Sequence, residues 1–192
     1  SQESRYMKCL KSDKNSAELC ASILLKGGIV IIPTDTVYGF SGIVDEKSET
    51  DSKIRKIKGR EETKPFIQLI GSPSDIHKYT DDVIPDSLLA HWPGPLTIIV
   101  NNKLSKTTTA FRCPDESWLC DVLNKVNAPI YSSSANRSGS PLLDFIEKIC
   151  AEFNDEVDLI VDDGDRIGGV ASTIVSVADG DVKVIRQGAV KI

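Results

Sequence analysis

Two threonines, an aspartate and a tyrosine lie together in the segment PTDTVYG, at residues 33–39. The segment directly follows the apolar run IVII at 29–32, which is typical of a buried strand. Pro33 cannot donate a hydrogen bond to a neighbouring strand, so we expect the strand pairing to weaken there. Because ligands collect beyond the ends of strands in α/β proteins, the segment is a candidate binding site. Taken alone, it also fits a polar turn that binds nothing.

Positive charge gathers in the segment KIKGREETKP, at residues 56–65. Lys58, Arg60 and Lys64 lie between or beside a glycine and a proline, in a turn that can wrap a polyphosphate. Arginine makes bidentate contacts to phosphate, and lysine supplies a point charge. The alternative is that these cations only stabilise the C-terminus of a helix, which is worth ~0.3–1 kcal/mol for each charge.

A serine-rich segment, SSSANRSG at 132–139, lies between a predicted strand and a predicted helix. The hydroxyls, the amide and the backbone N–H groups of such a turn can all face an anion. Ser134 and Asn136 equally suit a turn without a ligand. Arg112 and Arg186 each lie near a predicted strand end and could complete a basic pocket, although a lone arginine is more often a surface ion-pair partner.

Two further segments combine small or rigid residues with polar ones. In GGVASTIV, at residues 168–175, the glycines allow the chain to approach a ligand closely before a strand begins. In WPGPLT, at residues 92–97, two prolines around a glycine fix the backbone, which indicates architecture rather than catalysis.

Strands and helices alternate along the chain, which predicts an α/β sheet with at least some antiparallel pairs. The predicted strands are 29–32, 66–70, 96–100, 110–113, 129–132, 159–161, 173–177 and 182–185. The predicted helices are about 15–26, 51–58, a helix that begins at 73, 85–91, 116–126 and 142–153. Asp51 or Ser52 is expected to cap the second of these helices.

The composition excludes several classes of protein. The chain has 192 residues, of which 40% are apolar, so it suits one domain with a sizeable core. We expect residues 1–14 to be an N-terminal extension and residues 15–192 to form the domain. No apolar run approaches the ~20 residues that span a bilayer, and residues 1–6 have no signal-peptide core.

Charge and cysteine content narrow the classes further. The formal net charge of -5 argues against a general nucleic-acid coat but allows a local basic pocket. The five cysteines form no CxxC pair, and there are two histidines, so the sequence favours neither a zinc site nor a disulfide framework. Reduced thiols indicate the cytoplasm.

Six segments together resemble the YrdC/TsaC family, the threonylcarbamoyl-AMP synthases, in its short single-domain form. These segments are PTDTVYG, KGR with the following KP, WPGPLT, SSANRSG, STIV and VIRQG, and they occur in the family's order between about residues 21 and 188. The resemblance implies an open, twisted, mixed sheet with flanking helices around a positively charged cavity. It also implies that L-threonine, bicarbonate and ATP are joined into threonylcarbamoyl-adenylate, with release of pyrophosphate.

The resemblance further implies cofactors and partners. Mg²⁺ accompanies the ATP, and partner proteins move the threonylcarbamoyl group onto an adenosine of tRNA. Lys58 and Arg60 are the implied catalytic residues. The implied ATP-binding residues are Arg60, Lys64, Thr108, Ser134, Asn136 and Arg186. The implied threonine-binding residues are Thr36, Tyr38, Arg112, Ser132 and Ser172. None of them is an implied metal ligand.

The implied reaction needs no covalent nucleophile, because positioning and positive electrostatics suit a reaction that gathers anionic charge. Leu69 and Glu116 depart from the family pattern, since both occupy positions where the family commonly has histidine. Leu69 is expected to border the threonine subsite. The alternatives are an RNA-binding module of the same fold, a nucleotide-binding homologue with an altered substrate, and a carbamoyl-transfer domain like part of the hydrogenase-maturation proteins.

Overall fold

A ten-stranded mixed sheet forms the centre of the molecule, in a computed structural model that describes residues 7–59 and 63–192. In chain order the strands are β1 (Met7–Leu10), β2 (Val30–Ile32), β3 (Gly39–Ser41), β4 (Ile67–Leu69), β5 (Leu96–Asn101), β6 (Thr108–Arg112), β7 (Ile130–Ser134), β8 (Leu159–Asp162), β9 (Thr173–Ser176) and β10 (Lys183–Arg186). Their spatial order is β1-β8-β2-β3-β7-β4-β6-β5-β9-β10.

Four of the strand pairs are parallel and the other five are antiparallel. The parallel pairs are β1–β8, β2–β8, β4–β6 and β5–β9. The antiparallel pairs are β2–β3, β3–β7, β4–β7, β5–β6 and β9–β10. The predicted mixed α/β sheet is therefore confirmed.

Five α-helices and one 3₁₀-helix connect the strands within the described ranges. The α-helices are α1 (Ser16–Leu25), α2 (Thr50–Lys58), α3 (Asp86–Leu89), α4 (Ser117–Val126) and α5 (Ile146–Phe153), and the 3₁₀-helix is Pro73–Lys78. The predicted cap of α2 was wrong. The helix begins at Thr50, whose hydroxyl donates to the carbonyl of Ile43 at 2.7 Å, and Glu49 precedes it without a side-chain cap bond.

Helices cover both faces of the sheet because successive strand residues point to opposite sides. In β2, Val30 and Ile32 pack into a core that contains residues of α1 and α4. The intervening Ile31 packs into a second core, which contains residues of α2 and α5. A third core lies around α3 and the neighbouring strand β5. Each predicted strand is present within two or three residues of its expected bounds.

Two strands, β1 and β3, were not predicted. β1 lies within residues 1–14, the expected N-terminal extension, and pairs with β8 from Met7↔Leu159 to Leu10↔Asp162. Three of its four residues are exposed, and the sequence MKCL shows no regular alternation of apolar and polar residues that would mark a strand. β3 begins with a glycine and has three residues, which are too few to show a periodic pattern. The sheet thus extends into the segment expected to lie outside the domain.

None of the helices in residues 7–59 and 63–192 is long and apolar enough to cross a membrane.

Candidate functional site

A cavity of about 990 Å³ opens against the sheet, lined by segments that are distant in the sequence. Ten of the predicted site residues line it: Thr36, Lys58, Lys64, Thr108, Arg112, Ser132, Ser134, Asn136, Ser172 and Arg186. Arg60, predicted to act in catalysis and ATP binding, lies outside the described residues. Tyr38 is not among the lining residues.

The charge of the cavity is opposite to that of the whole chain. Its described lining residues include four cations, Lys58, Lys64, Arg112 and Arg186, and no carboxylate. The formal net charge of the chain is -5, so acidic groups are concentrated elsewhere. A cleft lined by one sign of charge focuses the field and draws in ligands of the opposite charge. The cavity therefore suits an anionic ligand.

The loop after β2 presents Thr36 to the cavity. The hydroxyl of Thr34 donates to the carbonyl of Val37 at 2.6 Å and accepts from the backbone N–H of Thr36 at 3.1 Å. This hydroxyl-closed turn fixes the backbone where the strand stops pairing, as expected from Pro33. The hydroxyl of Thr36 lies 3.1 Å from that of Thr34 and 3.5 Å from Nη2 of Arg112.

Arg112 is the most deeply buried arginine that lines the cavity. It ends β6 and is 3% exposed. Burial lowers the pKa of its guanidinium, Asp35 opposes that shift, and Arg186 adds to it. Nε of Arg112 lies 3.3 Å from Oδ1 of Asp35, but the two groups are not aligned for a hydrogen bond. Asp35 received no role from the sequence.

Lys58 holds the serine-rich turn of the cavity wall together. Its ammonium donates to the carbonyl of Ser134 at 2.6 Å, to the carbonyl of Asn136 at 3.0 Å and to Oδ1 of Asn136 at 3.4 Å. Its backbone carbonyl accepts from the N–H of Ser138 at 2.8 Å. The side chain is buried at the end of α2, 5.5 Å above the ring of Phe40. The turn and the lysine are thus one hydrogen-bonded unit.

Asn136 and Ser134 complete that unit. The hydroxyl of Ser134 donates to Oδ1 of Asn136 at 2.5 Å, and Nδ2 of Asn136 donates to the carbonyl of Ser140 at 2.7 Å. Asn136 therefore uses both ends of its amide on the protein. Its described contacts fit the expectation that it shapes the turn.

Arg186 reaches the cavity from the last strand. Its Nε and Nη2 donate to the carbonyl of Ser172 at 3.1 and 2.8 Å, and Nη2 lies 3.3 Å from the Ser172 hydroxyl. That hydroxyl is buried and lies 2.8 Å from Oγ1 of Thr97, which belongs to the WPGPLT segment. Burial lowers the pKa of Arg186. Thr97 thus fastens the wall of the cavity, in agreement with an architectural role for WPGPLT.

Tyr38 differs from the other predicted threonine-binding residues, because it does not line the cavity. The side chain is 2% exposed, and its hydroxyl donates to the carbonyl of Gly164 and accepts from the N–H of Asp163, both at 2.7 Å. Burial raises its pKa to about 12. Both polar functions of the phenol are therefore used in tying the 33–39 segment to the loop after β8. The residue shapes the cavity from behind.

Leu69 and Glu116, the two departures from the family pattern, also lie away from the cavity. Leu69 is fully buried in the core beside α4 and does not border the lining, so the expectation for it was wrong. Glu116 caps α4 by accepting from the N–H of Leu119 at 2.6 Å, and its carboxylate pairs with Lys11, also at 2.6 Å. Neither substitution changes the described wall of the cavity.

The sequence did not reveal the apolar part of the wall. Phe66, Ile99, Leu142, Ile174 and Ile185 line the cavity between the polar groups. Apolar residues in strands look alike whether they face a core or a ligand, so no pattern distinguishes them. Such surfaces are typical of small-molecule sites, where a few polar groups orient a largely apolar contact.

The implied Mg²⁺ finds no carboxylate among the described lining residues. Mg²⁺ is usually held by one or two carboxylates together with substrate phosphates. The described wall offers hydroxyl and amide oxygens only, and no cluster of metal-binding side chains occurs in the described part of the chain. The side chains of the described wall therefore do not fit a Mg²⁺ ion held by protein carboxylates.

Comparison with known proteins gives the family. The Sua5/YciO/YrdC family model, described as "Telomere recombination", matches residues 22–188. The chain belongs to this family. The match begins near the point at which the resemblance of the six segments begins, and it ends at the same residue.

Relatives of similar sequence carry one activity in their names. A Methanocaldococcus jannaschii protein, provisionally named threonylcarbamoyl-AMP synthase, is 31% identical over 93% of this chain and 88% of its own length. The threonylcarbamoyl-AMP synthases of Bos taurus and Bacillus subtilis are each 30% identical, over 86% and 88% of this chain. The chain spans 65% and 52%, respectively, of the length of these two relatives.

Solved structures share the fold. Sua5 of P. abyssi, in a crystal structure complexed with L-threonine, has a TM-score of 0.84 and 23% identity, covering 95% of this chain and 57% of that one. E. coli YciO has a TM-score of 0.78 and 21% identity, covering 95% and 94%. The mixed sheet with flanking helices is thus the fold of these proteins.

Proposed function

We propose that this chain is a threonylcarbamoyl-AMP synthase, a nucleotidyltransferase that uses L-threonine, bicarbonate and ATP. The observation that carries the proposal is the cavity, whose described wall has four cations and no carboxylate. The names of the relatives and the L-threonine bound to the P. abyssi protein support the choice of substrates.

The proposed chemistry has two steps. The amine of L-threonine reacts with bicarbonate to form a carbamate and water. A carbamate oxygen then attacks the α-phosphorus of ATP, the bond to the β-phosphate oxygen breaks, and pyrophosphate leaves. Both steps bring anions together, so a preorganised positive cavity stabilises the charge that develops.

We assign the two ends of the cavity to the two substrates. Arg112 and Thr36, 3.5 Å apart, receive the threonine, with Ser132 and Ser172 beside them. The nucleotide lies toward Lys64 and Thr108, against the apolar wall, and Arg186, which donates to the carbonyl of Ser172, contacts it where the two subsites meet. Lys58, through Ser134 and Asn136, sets the turn that faces the reacting groups. Arg60 completes this set as a proposed catalytic and ATP-binding residue.

The product and its fate belong to the same proposal. Threonylcarbamoyl-adenylate is passed to partner proteins that modify an adenosine of tRNA. All five cysteines are free thiols, which suits a reducing compartment, and we propose the cytoplasm. Mg²⁺ enters with the nucleotide and is held by its phosphates.

The test measures pyrophosphate released from ATP by the purified protein. We expect release only when both L-threonine and bicarbonate are present, together with an adenylate product whose mass equals AMP plus the threonylcarbamoyl group. Omitting either substrate and replacing L-threonine by D-threonine are the controls. Release without dependence on threonine, or salt-sensitive RNA retention with no release at all, contradicts the proposal.

A further inference from the structure

Asp35 has no part in the proposed reaction so far, yet it lies beside the buried cation of the cavity. The side chains of Asp35 and Arg112 are 5% and 4% exposed, and Oδ1 of Asp35 is 3.3 Å from Nε of Arg112. Within the described part of the chain, neither of these two atoms has a hydrogen-bond partner. Oδ2 of Asp35 accepts a long bond, 3.4 Å, from the N–H of Asp115.

This pair is compensated in charge but not in hydrogen bonds. A buried charge is costly unless an opposite charge and well-aligned hydrogen bonds replace its water. A guanidinium has five N–H donors, and the hydrogen bond that the described structure gives Arg112 is the 3.5 Å contact with Thr36. Arg112 therefore keeps N–H donors available on the wall of the cavity, and Asp35 partly compensates its positive charge.

We propose that Asp35 is a resident counter-ion of Arg112 that competes with the carboxylate of the substrate. It steadies the guanidinium while the cavity holds no carboxylate. When a carboxylate binds, the two anions share one cation, and because like charges repel, Asp35 weakens the binding. Asp35 is thus a positioning residue that lowers the affinity of the subsite it helps to build.

The test compares the native protein with Asp35→Asn, which keeps the shape and removes the charge. We expect the variant to unfold at a lower temperature, because a buried cation loses its partner. We also expect it to bind L-threonine about tenfold more tightly, as measured by calorimetry, because the competing anion is gone. L-threoninamide, which has no carboxylate, should show no such gain in affinity for the variant. Asp35→Ser carries the same expectation if Asp35→Asn does not fold.

Asp82→Asn is the matched control. Asp82 accepts from the N–H of Asn101 at 2.7 Å, away from the cavity, so its variant should lose stability without any change in threonine binding. If L-threonine binds the native protein, weaker or unchanged binding of L-threonine by Asp35→Asn overturns the inference.

The inference rests on the proposed function for the identity of L-threonine only. A second arm therefore uses sodium acetate, the simplest carboxylate, against sodium chloride at equal ionic strength. Preferential thermal stabilisation of Asp35→Asn by acetate, with no binding of L-threonine to either protein, leaves the inference standing and removes the proposed substrate. If acetate does not favour the variant and L-threonine binds no more tightly, Asp35 is not a competing counter-ion.

Discussion

Lys58 and Arg112 are two cations of one cavity, each 3% exposed, but the protein uses them in opposite ways. The Lys58 ammonium lies within hydrogen-bond distance of three oxygens of the serine-rich turn. Arg112 has one long hydrogen bond to Thr36 and a misaligned carboxylate. The two side chains are therefore equally buried but differ in how many of their N–H donors the protein uses. Lys58 holds a turn of the cavity wall, and Arg112 keeps N–H donors that no described group accepts.

The comparison changes the meaning of the predicted catalytic lysine. An ammonium has three N–H donors, and the turn offers three acceptors within reach. We infer that Lys58 affects the reaction mainly by holding the turn that carries Ser134 and Asn136, and by its long-range positive charge. Whether its role is catalytic stays a prediction, which the following variants address.

The largest expected effect comes from Lys58→Met, which keeps the length of the side chain and removes its donors. We expect the kcat/KM of pyrophosphate release to fall by roughly 10²–10³-fold, because the turn loses its anchor and the cavity loses a charge. The free energy of unfolding should fall by about 2 kcal/mol, since carbonyl acceptors are left buried. Chemical denaturation and steady-state kinetics measure the two effects.

Lys53→Met is the control for that variant. Lys53 lies on the same helix, and its ammonium donates to the carbonyl of Gly27 at 3.1 Å, outside the cavity wall. We expect near-native kinetics for Lys53→Met. A Lys58→Met protein that is less stable yet fully active would break the comparison, because the turn would then not matter to the reaction.

A smaller effect, confined to one substrate, is expected for Arg112→Lys. The lysine keeps the positive charge but loses the fork that binds a carboxylate with two hydrogen bonds. We expect the KM for L-threonine to rise by roughly 30-fold and the KM for ATP to stay within about twofold. Initial rates with each substrate varied in turn measure the split. Equal increases in both KM values would contradict the assignment of Arg112 to the amino-acid end.

Arg186→Gln should mirror that split with a smaller effect. Arg186 is already held by the carbonyl of Ser172, so fewer of its donors remain for a nucleotide. We expect the KM for ATP to rise by about tenfold with little change for L-threonine. Lys183→Gln, on the same strand, is the control, because Lys183 is exposed and pairs only with Asp179 among the described residues. A larger effect of Lys183→Gln than of Arg186→Gln would refute the assignment.

The smallest effect is expected for Tyr38→Phe, which tests whether this residue contacts substrate. The KM for L-threonine should change by less than about twofold, and the free energy of unfolding should fall by about 1 kcal/mol from two lost hydrogen bonds. A tenfold rise in the KM for L-threonine would restore Tyr38 to the threonine site.

The pH dependence of Tyr38→Phe gives an independent measurement. Burial raises the pKa of Tyr38 from 10.0 to about 12, so the folded state holds the proton more tightly than the unfolded state does. The stability that this group contributes is therefore present below pH 10 and is lost as the pH rises from 10 toward 12. The native protein should lose stability more steeply than Tyr38→Phe across this window, as followed by denaturation at each pH.

The sequence brought most of the polar lining residues to attention because they fall in contiguous segments, and their roles stay predictions. Thr36, Ser134 and Arg186 each belong to a short run whose order along the chain resembles a known family, and all of them reach the cavity. It missed Asp35 as a partner of Arg112, since the two residues meet only through folding, 77 positions apart in the sequence. The sequence around an aspartate in a loop does not indicate which distant cation it will contact in the folded protein.

For the fold, the sequence predicted most of the strands and missed one exposed strand and one very short strand. Long apolar runs such as 29–32 and 159–161 became buried strands as predicted. β1 and β3 were missed because an exposed strand and a three-residue strand owe their existence to their neighbours. The surroundings of Leu69 and Glu116, a core and a helix cap, depend on packing that the sequence alone does not show.

The pairing of β1 with β8 affects how the chain folds during its synthesis. Met7 is aligned with Leu159, so β1 is synthesised about 150 residues before the strand with which it pairs. β2 likewise keeps one open edge until β8 emerges. Such distant pairing slows folding and leaves strand edges exposed during synthesis. The described sheet is complete only after β8, β9 and β10 have been made, so the partly synthesised chain exposes strand edges that the folded protein covers.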